Sequence, residues 1–160
     1  MGIGLAIWSK IPVHHKEVLL DMVEAAYDAC LQFQLQGYRK YVINNNDLYK
    51  PGQFVLQNDN PEHTPMIFHI CDLESQQHGT CKWENTKFVT IENKTIVEPL
   101  LYRLTVSEDL DFEMTFYFSY HYLKKHKDQI ISISDYLVDW PVISKAFEEG
   151  YSNNWYNLQK

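Results

Sequence analysis

The middle of the chain is a series of short runs rich in β-branched and aromatic residues, with no clear helical segment between them. Turn-like stretches such as NNND, NDNPEHTP and SQQHG separate the runs. Consecutive strands joined by turns pair as antiparallel neighbours, because a parallel pair needs a long crossover connection. The pattern therefore predicts a mainly antiparallel sheet of five or six strands. The runs are YRKYVIN, QFVLQ, MIFHICDL, KFVTIEN, LLYRLTVS and DFEMTFYFSYHYL.

The last run shows the most regular alternation, over residues 112–122. Such alternation is typical of a half-buried strand with one covered face. It places Tyr120 on the core face, and it places Glu113, Thr115, Tyr117, Ser119 and His121 on the exposed face. The predicted core face consists of Phe112, Met114, Phe116, Phe118, Tyr120 and Tyr122.

An amphipathic helix is predicted before the strands, from about Val13 to Gln36. Gly37 follows as a natural terminator, because glycine readily adopts the left-handed backbone that ends many helices. Cys30 falls within the apolar stripe, which predicts a role in core packing. The stripe consists of Leu19, Met22, Val23, Ala26, Tyr27, Cys30 and Phe33.

A second helical pattern follows near the end of the chain, in DYLVDWPVISKAFEEG. Asp139 is a candidate N-cap, Pro141 suits the first turn, and Gly150 marks the end. The 160 residues are predicted to form a single globular domain over residues 1–160. Its fold class is α+β: an N-terminal amphipathic helix, the mainly antiparallel sheet, and a C-terminal helix or helices packed on one face.

Composition narrows the choice of function. The net charge of −7 disfavours direct binding to nucleic acid and suits a partner with a basic surface. Aromatic residues make up 14% of the chain, and they are enriched at protein interfaces. The three cysteines show no disulfide-scaffold spacing, and the first residues lack the basic region of a signal peptide. Because the apolar runs are also too short for a membrane span, a cytoplasmic location is expected.

One cluster of soft ligands lies in HICDLESQQHGTC, which contains His69, Cys71, His78 and Cys81. Thiolate and imidazole are the usual ligands of tetrahedral zinc, so a small metal-dependent or thiol enzyme is one alternative. Only His78 and Cys81 have a spacing that resembles a zinc knuckle. The other interpretation is a β-hairpin with Cys71 buried. No cofactor is expected, with zinc kept as the alternative.

The segment SEDLDFE forms an acidic cluster of four carboxylates, Glu108, Asp109, Asp111 and Glu113. Carboxylates beside exposed tyrosines suit the centre of a protein interface. Together with Tyr117 and Tyr120, these residues form the predicted partner-binding site.

Motifs for nucleotide binding and for common hydrolases are missing from the sequence, which favours a non-catalytic protein. Small, acidic, aromatic-rich α+β chains of this kind are a type to which bacterial immunity proteins often belong. The hypothesis is a binding protein that neutralises a basic partner, such as a nuclease-type toxin. A structural or adaptor subunit that assembles through its aromatic sheet face is a further alternative.

Overall fold

Helices and strands succeed one another along the chain in the computed structural model, which describes residues 4–50, 52–78, 87–88, 101–134 and 136–156. The helices are α1 (His15–Asp28), α2 (Leu73–His78), α3 (Phe112–Lys125) and α4 (Trp140–Glu149). The strands are β1 (Leu5–Ser9), β2 (Gln32–Leu35), β3 (Arg39–Ile43), β4 (Asn46–Lys50), β5 (Gln53–Gln57), β6 (Met66–Ile70), β7 (Lys87–Phe88), β8 (Tyr102–Ser107), β9 (Ile130–Ile133) and β10 (Tyr136–Val138).

Eight of these strands form one sheet, in the order β2-β5-β6-β8-β1-β9-β10-β7. Neighbouring strands are antiparallel, except that β7 pairs with β10 in parallel. Strands β3 and β4 form a separate antiparallel hairpin, whose turn residues Asn44 and Asn45 both have positive φ. The prediction of an α+β fold with a mostly antiparallel sheet is confirmed. The strand count and the arrangement of helices differ from the prediction.

Residues 112–122 are the main correction, because they belong to helix α3 and not to a strand. The buried residues recur as adjacent pairs one turn apart, which is a helical pattern. Thr115 and Ser119, expected on the exposed side, are fully buried. Apolar residues occupy so many positions of this segment that both periods fit it, and the two-residue period is the wrong one. The paired buried residues are Met114 with Thr115, Phe118 with Ser119, and Tyr122 with Leu123.

Helix α1 is shorter than predicted. It ends at Asp28, and Cys30 then adopts a left-handed φ of 57°, so the helix stops well before Gly37. Cys30 is exposed, and Tyr27 is 77% exposed, so neither has the predicted core position. The residues after Cys30 continue into β2, where Phe33 is half-buried.

The C-terminal helix α4 agrees with its sequence signals. The Asp139 carboxylate accepts a hydrogen bond of 3.1 Å from the backbone N–H of Val142, as an N-cap does. Pro141 lies in the first turn, and Gly150 follows the helix with a φ of 89°. Such a φ favours glycine, because it lacks a Cβ.

The main core lies between the sheet and helices α1, α3 and α4. Phe118 of α3 contributes a fully buried ring, 5.6 Å from the ring centroid of Phe68 and 6.4 Å from that of Phe54. In the same cluster, the buried Tyr122 hydroxyl donates a hydrogen bond of 2.6 Å to the Gln129 side chain. These contacts fix which side of α3 faces the sheet.

Replacing Phe118 with Ala should lower the free energy of unfolding by about 3–5 kcal/mol, because the change leaves a cavity between two strands and a helix. Tyr27→Ala, at a position that the sequence pattern places in the core, should change it by less than about 0.5 kcal/mol. Urea unfolding followed by circular dichroism measures both. Equal losses in the two variants would contradict the observed end and rotation of α1.

Charged side chains link helices α1 and α3 at the surface. Lys125 pairs with Glu24 and, at 3.1 Å, with Asp28, while His126 Nε2 lies 3.5 Å from Asp21. His121, one turn before Lys125, is half-buried. Burial lowers its pKa, and the adjacent lysines add to this effect, although Asp28 opposes it.

A lowered histidine pKa has a definite consequence for stability. Between about pH 7 and pH 5 the unfolded chain protonates His121 before the folded chain does, so acid favours unfolding. The stability that the neutral ring provides is present above the unfolded pKa and is lost as the pH falls. His121→Gln should therefore reduce the pH dependence of the free energy of unfolding, measured with urea across this range. An unchanged dependence would contradict the assignment.

Candidate protein-binding surface

Helix α3 carries one half-buried stripe of side chains that borders α4. Glu113, Tyr117 and Tyr120 lie at positions i, i+4 and i+7, which share one side of a helix. A strand would have placed Tyr120 opposite the other two. The helix therefore brings together three of the six residues predicted to bind a partner, and we call these three the α3 stripe. All three are half-buried.

The N-terminal end of α3 is fixed by Asp111. One carboxylate oxygen accepts a hydrogen bond of 2.9 Å from the Met114 backbone N–H, and the other contacts His63 Nδ1. The second ring nitrogen of His63 lies 3.7 Å from a carboxylate oxygen of Glu113. Only 13% of the Asp111 side chain is exposed, against 45% for Glu113. Asp111 thus serves mainly to cap the helix.

The loop between β8 and α3 carries the two remaining carboxylates of the predicted site. Glu108 and Asp109 are both exposed. The Ser107 hydroxyl donates a hydrogen bond of 2.8 Å to the backbone carbonyl of Asp109, which holds the loop while leaving the Asp109 carboxylate accessible. Of the four carboxylates, these two are therefore the most available to a partner, with Glu113 beside them.

Aromatic side chains of α4 and the segment after it support the two tyrosines of the stripe. The Tyr120 ring stacks on Phe147, with 3.7 Å between centroids and 9° between planes. Tyr117 lies 6.5 Å from the rings of both Phe147 and Tyr151. Partial burial raises the pKa of Tyr151, and the carboxylates of Glu113 and Asp111 raise it further. Close packing of this kind leaves Tyr117 and Tyr120 few alternative rotamers.

The surface along α3 is acidic at the N-terminal end of the helix and basic near its C-terminal end. Near the C-terminal end, the Lys124 ammonium lies 5.9 Å from the centre of the Tyr120 ring, and that of Lys127 lies 5.1 Å from the Trp140 ring. Trp140 also lines an open cleft of about 490 Å³ on α4, which is bordered by Pro141, Ser144, Lys145 and Glu148. A partner that covers the whole surface would meet acidic groups at one end and basic groups at the other.

The predicted His/Cys cluster is only partly described. His69 is exposed and contacts Gln53, whereas Cys71 is buried and its backbone N–H bonds to Leu104. Helix α2 follows, so the predicted hairpin is wrong. His78 is the last residue of α2, although its side chain is outside the described part, and Cys81 lies outside the described residues altogether.

The burial of Cys71 makes its thiol a poor candidate for a nucleophile. Burial raises the pKa of its thiol, and the nearby Arg103 offsets only part of this effect. A buried thiol with a raised pKa is a weak nucleophile, because the thiolate is the reactive form. Within the described ranges, no group of three or more His, Cys, Asp or Glu residues is arranged to hold a metal ion.

His63 is the residue of this surface that sequence reasoning missed. It lies 48 positions before Asp111, in the turn that precedes β6, and no local spacing connects the two residues. An N-cap aspartate uses one carboxylate oxygen to cap its helix and leaves the other free for a second partner. Recognising Asp111 as the N-cap of α3 would therefore have pointed to such a partner, but the sequence does not show which residue it is.

Comparison of the chain with protein-family models, with curated proteins and with solved structures finds no match. Among the residues that the structure describes, every helix is too short or too polar to cross a bilayer.

Asp111→Ala should lower the free energy of unfolding by about 1–2 kcal/mol, because it removes both the N-cap of α3 and the contact with His63. Asp109→Ala, two positions earlier and exposed, should change it by less than about 0.5 kcal/mol. Chemical denaturation of the two variants makes the comparison. Similar stabilities would mean that Asp111 does not hold the start of the helix.

Proposed function

We propose that this protein is a non-catalytic binding protein whose acidic–aromatic surface binds a basic protein partner. The surface consists of the α3 stripe with Glu108 and Asp109. The observation that carries the proposal is the arrangement of the stripe itself. A carboxylate and two tyrosines share one side of a helix, and aromatic rings of α4 support the tyrosines from behind.

The tyrosines would supply the contact energy of such an interface. Tyrosine is enriched at the centres of protein interfaces, where its large ring is buried and its hydroxyl finds a polar partner. A ring already held by its neighbours loses little conformational freedom on binding. The stacking of Tyr120 on Phe147 supports this role.

The carboxylates would provide the speed and selectivity of association. Glu108 and Asp109 are exposed in the loop just before α3. Exposed charges of this kind attract a partner of opposite sign and repel partners of like sign. The net charge of −7 acts in the same direction at longer range.

A nuclease-type toxin is the partner class that we propose, which would make the protein a bacterial immunity protein. Nucleases contact phosphate backbones with lysine and arginine side chains. Closely spaced carboxylates on a folded surface can occupy the same basic groove and thereby exclude the nucleic acid. The alternative of an enzyme built on the His/Cys cluster gains no support from Cys71, whose thiol is buried.

The proposal predicts that reversing the exposed charges weakens binding of the partner. Tagged wild-type protein and a Glu108→Lys/Asp109→Lys variant are used as baits in a lysate of the source organism, and the bound chains are identified by mass spectrometry. For a basic protein captured by the wild type, the variant should raise the Kd by about tenfold or more. Asp111 stays unchanged, because its reversal would remove the N-cap of α3.

Asp128→Lys/Glu149→Lys is the matched control, since both residues are exposed and the change in net charge is the same. Its affinity should stay close to that of the wild type. Equal weakening in both variants would show general charge attraction in place of a defined surface, and would contradict the proposal. An unchanged Kd in the Glu108/Asp109 variant would contradict it equally.

A further inference from the structure

The β3–β4 hairpin continues the ladder of β2 and β5 beyond one end of these strands. Leu35 pairs with Phe54 in the inner ladder, and Arg39 pairs with Lys50 in the hairpin. The same number of residues separates the two pairs on each strand, so the register is unbroken. The two ladders therefore belong to one long hairpin, and its outer part lies outside the large sheet.

Two glycines lie opposite each other where the two ladders meet. The unbroken register places Gly37 opposite Gly52, between the last pair of the inner ladder and the first pair of the outer one. Gly52 has no room for a side chain, because a Cβ there would overlap the backbone carbonyls of Gln36 and Gly37. A Cβ at Gly37, by contrast, would meet no atom within 4 Å. The two backbones thus approach closely at a point where both residues have wide conformational freedom.

The outer hairpin has little support from the rest of the domain. Among the described residues, β3 and β4 pack extensively only on each other. Val42 and Ile43 are 67% and 52% exposed. Because neighbouring residues of a strand point to opposite faces, their exposure leaves both faces of the hairpin uncovered near its tip. Such a lack of buried contacts is typical of segments that move relative to the body of a protein.

Local interactions give the outer hairpin an order of its own. Asn44 and Asn45 both have the positive φ of a two-residue turn that matches the twist of the strands. The Lys40 ammonium pairs with the Asp47 carboxylate across the two strands at 2.9 Å. All five residue pairs between β3 and β4 follow one register. The hairpin can therefore keep its shape while its orientation changes.

A contact at the surface ties the base of the outer hairpin to helix α1. Tyr38 lies between Gly37 and β3, and its hydroxyl lies 2.5 Å from His15 Nε2. The two rings meet edge to face, with 5.3 Å between their centroids. Tyr38 is 60% exposed, so water competes for this hydrogen bond. A contact of this kind can form and break without disturbing the core.

We propose that residues 39–50 form an arm that moves as a unit about a hinge at Gly37 and Gly52, and that the contact between Tyr38 and His15 is a latch at its base. Glycine absorbs the change at the hinge, because it tolerates a wide range of φ and ψ. Each strand of the arm is roughly 17 Å long, so a modest rotation at the hinge moves the tip by several ångströms.

Residual dipolar couplings of the isotope-labelled protein test the arm directly, because they report the average orientation of each N–H bond. Amides of the large sheet should fit one alignment tensor. Amides of β3 and β4 should fit a second tensor of smaller magnitude, as an ordered unit with its own motion does. A single tensor that fits both sets would overturn the proposal, since the hairpin would then be rigid with the sheet. Random-coil chemical shifts throughout β3 and β4 would also overturn it, because the arm would then be unfolded.

Two variants act separately on the hinge and on the latch. Gly37→Ala restricts the backbone without a clash and at a residue without positive φ, so it should raise the alignment magnitude of the arm towards that of the sheet. Tyr38→Phe keeps the ring and removes the hydroxyl, so it should lower that magnitude.

Gln34→Ala, at an exposed position of β2, is the control and should leave the alignment magnitude of the arm unchanged. Equal changes in all three variants, or no change in the first two, would contradict the hinge and the latch. None of these residues belongs to the acidic–aromatic surface, so the result does not depend on the proposed partner.

Discussion

The packing of Phe118 against Phe54 and Phe68 is the contact on which the arrangement of helix α3 depends. A helix has only one rotation that buries a given side chain, so this contact decides which residues face away from the sheet. Asp111 caps the first turn of the helix. Near the other end, the hydrogen bond from the Tyr122 hydroxyl to the Gln129 side chain holds the helix against the core. The half-buried stripe of Glu113, Tyr117 and Tyr120 is thus a consequence of how the core is packed.

The division between buried and available carboxylates follows from the same helix start. An aspartate at an N-cap directs its oxygens to backbone N–H groups, and Asp111 also contacts His63. Glu108 and Asp109 lie before the helix and have no such role in the described structure, so they remain exposed. A cluster that looks uniform in sequence therefore divides into a structural residue and a group that a partner can reach.

Sequence reasoning succeeded where local chemistry determines local structure. Asp139 and Gly150 mark the limits of α4 because capping depends on a few neighbouring residues. It failed at α3, because apolar side chains are so frequent there that a two-residue period and a helical period fit equally well. Cys30 ended outside the core because a change to left-handed backbone stops α1 without any glycine. The contact between His63 and Asp111 depends on the tertiary fold, which no local pattern encodes.

Hydrogen–deuterium exchange on the complex with the captured partner tests the proposed binding surface most directly. The amides of the loop from Ser107 to Asp111 and of the first turns of α3 should exchange more slowly in the complex than in the free protein. Slower exchange confined to other segments, such as the β3–β4 hairpin, with that loop unchanged, would contradict the assignment of the partner surface to α3.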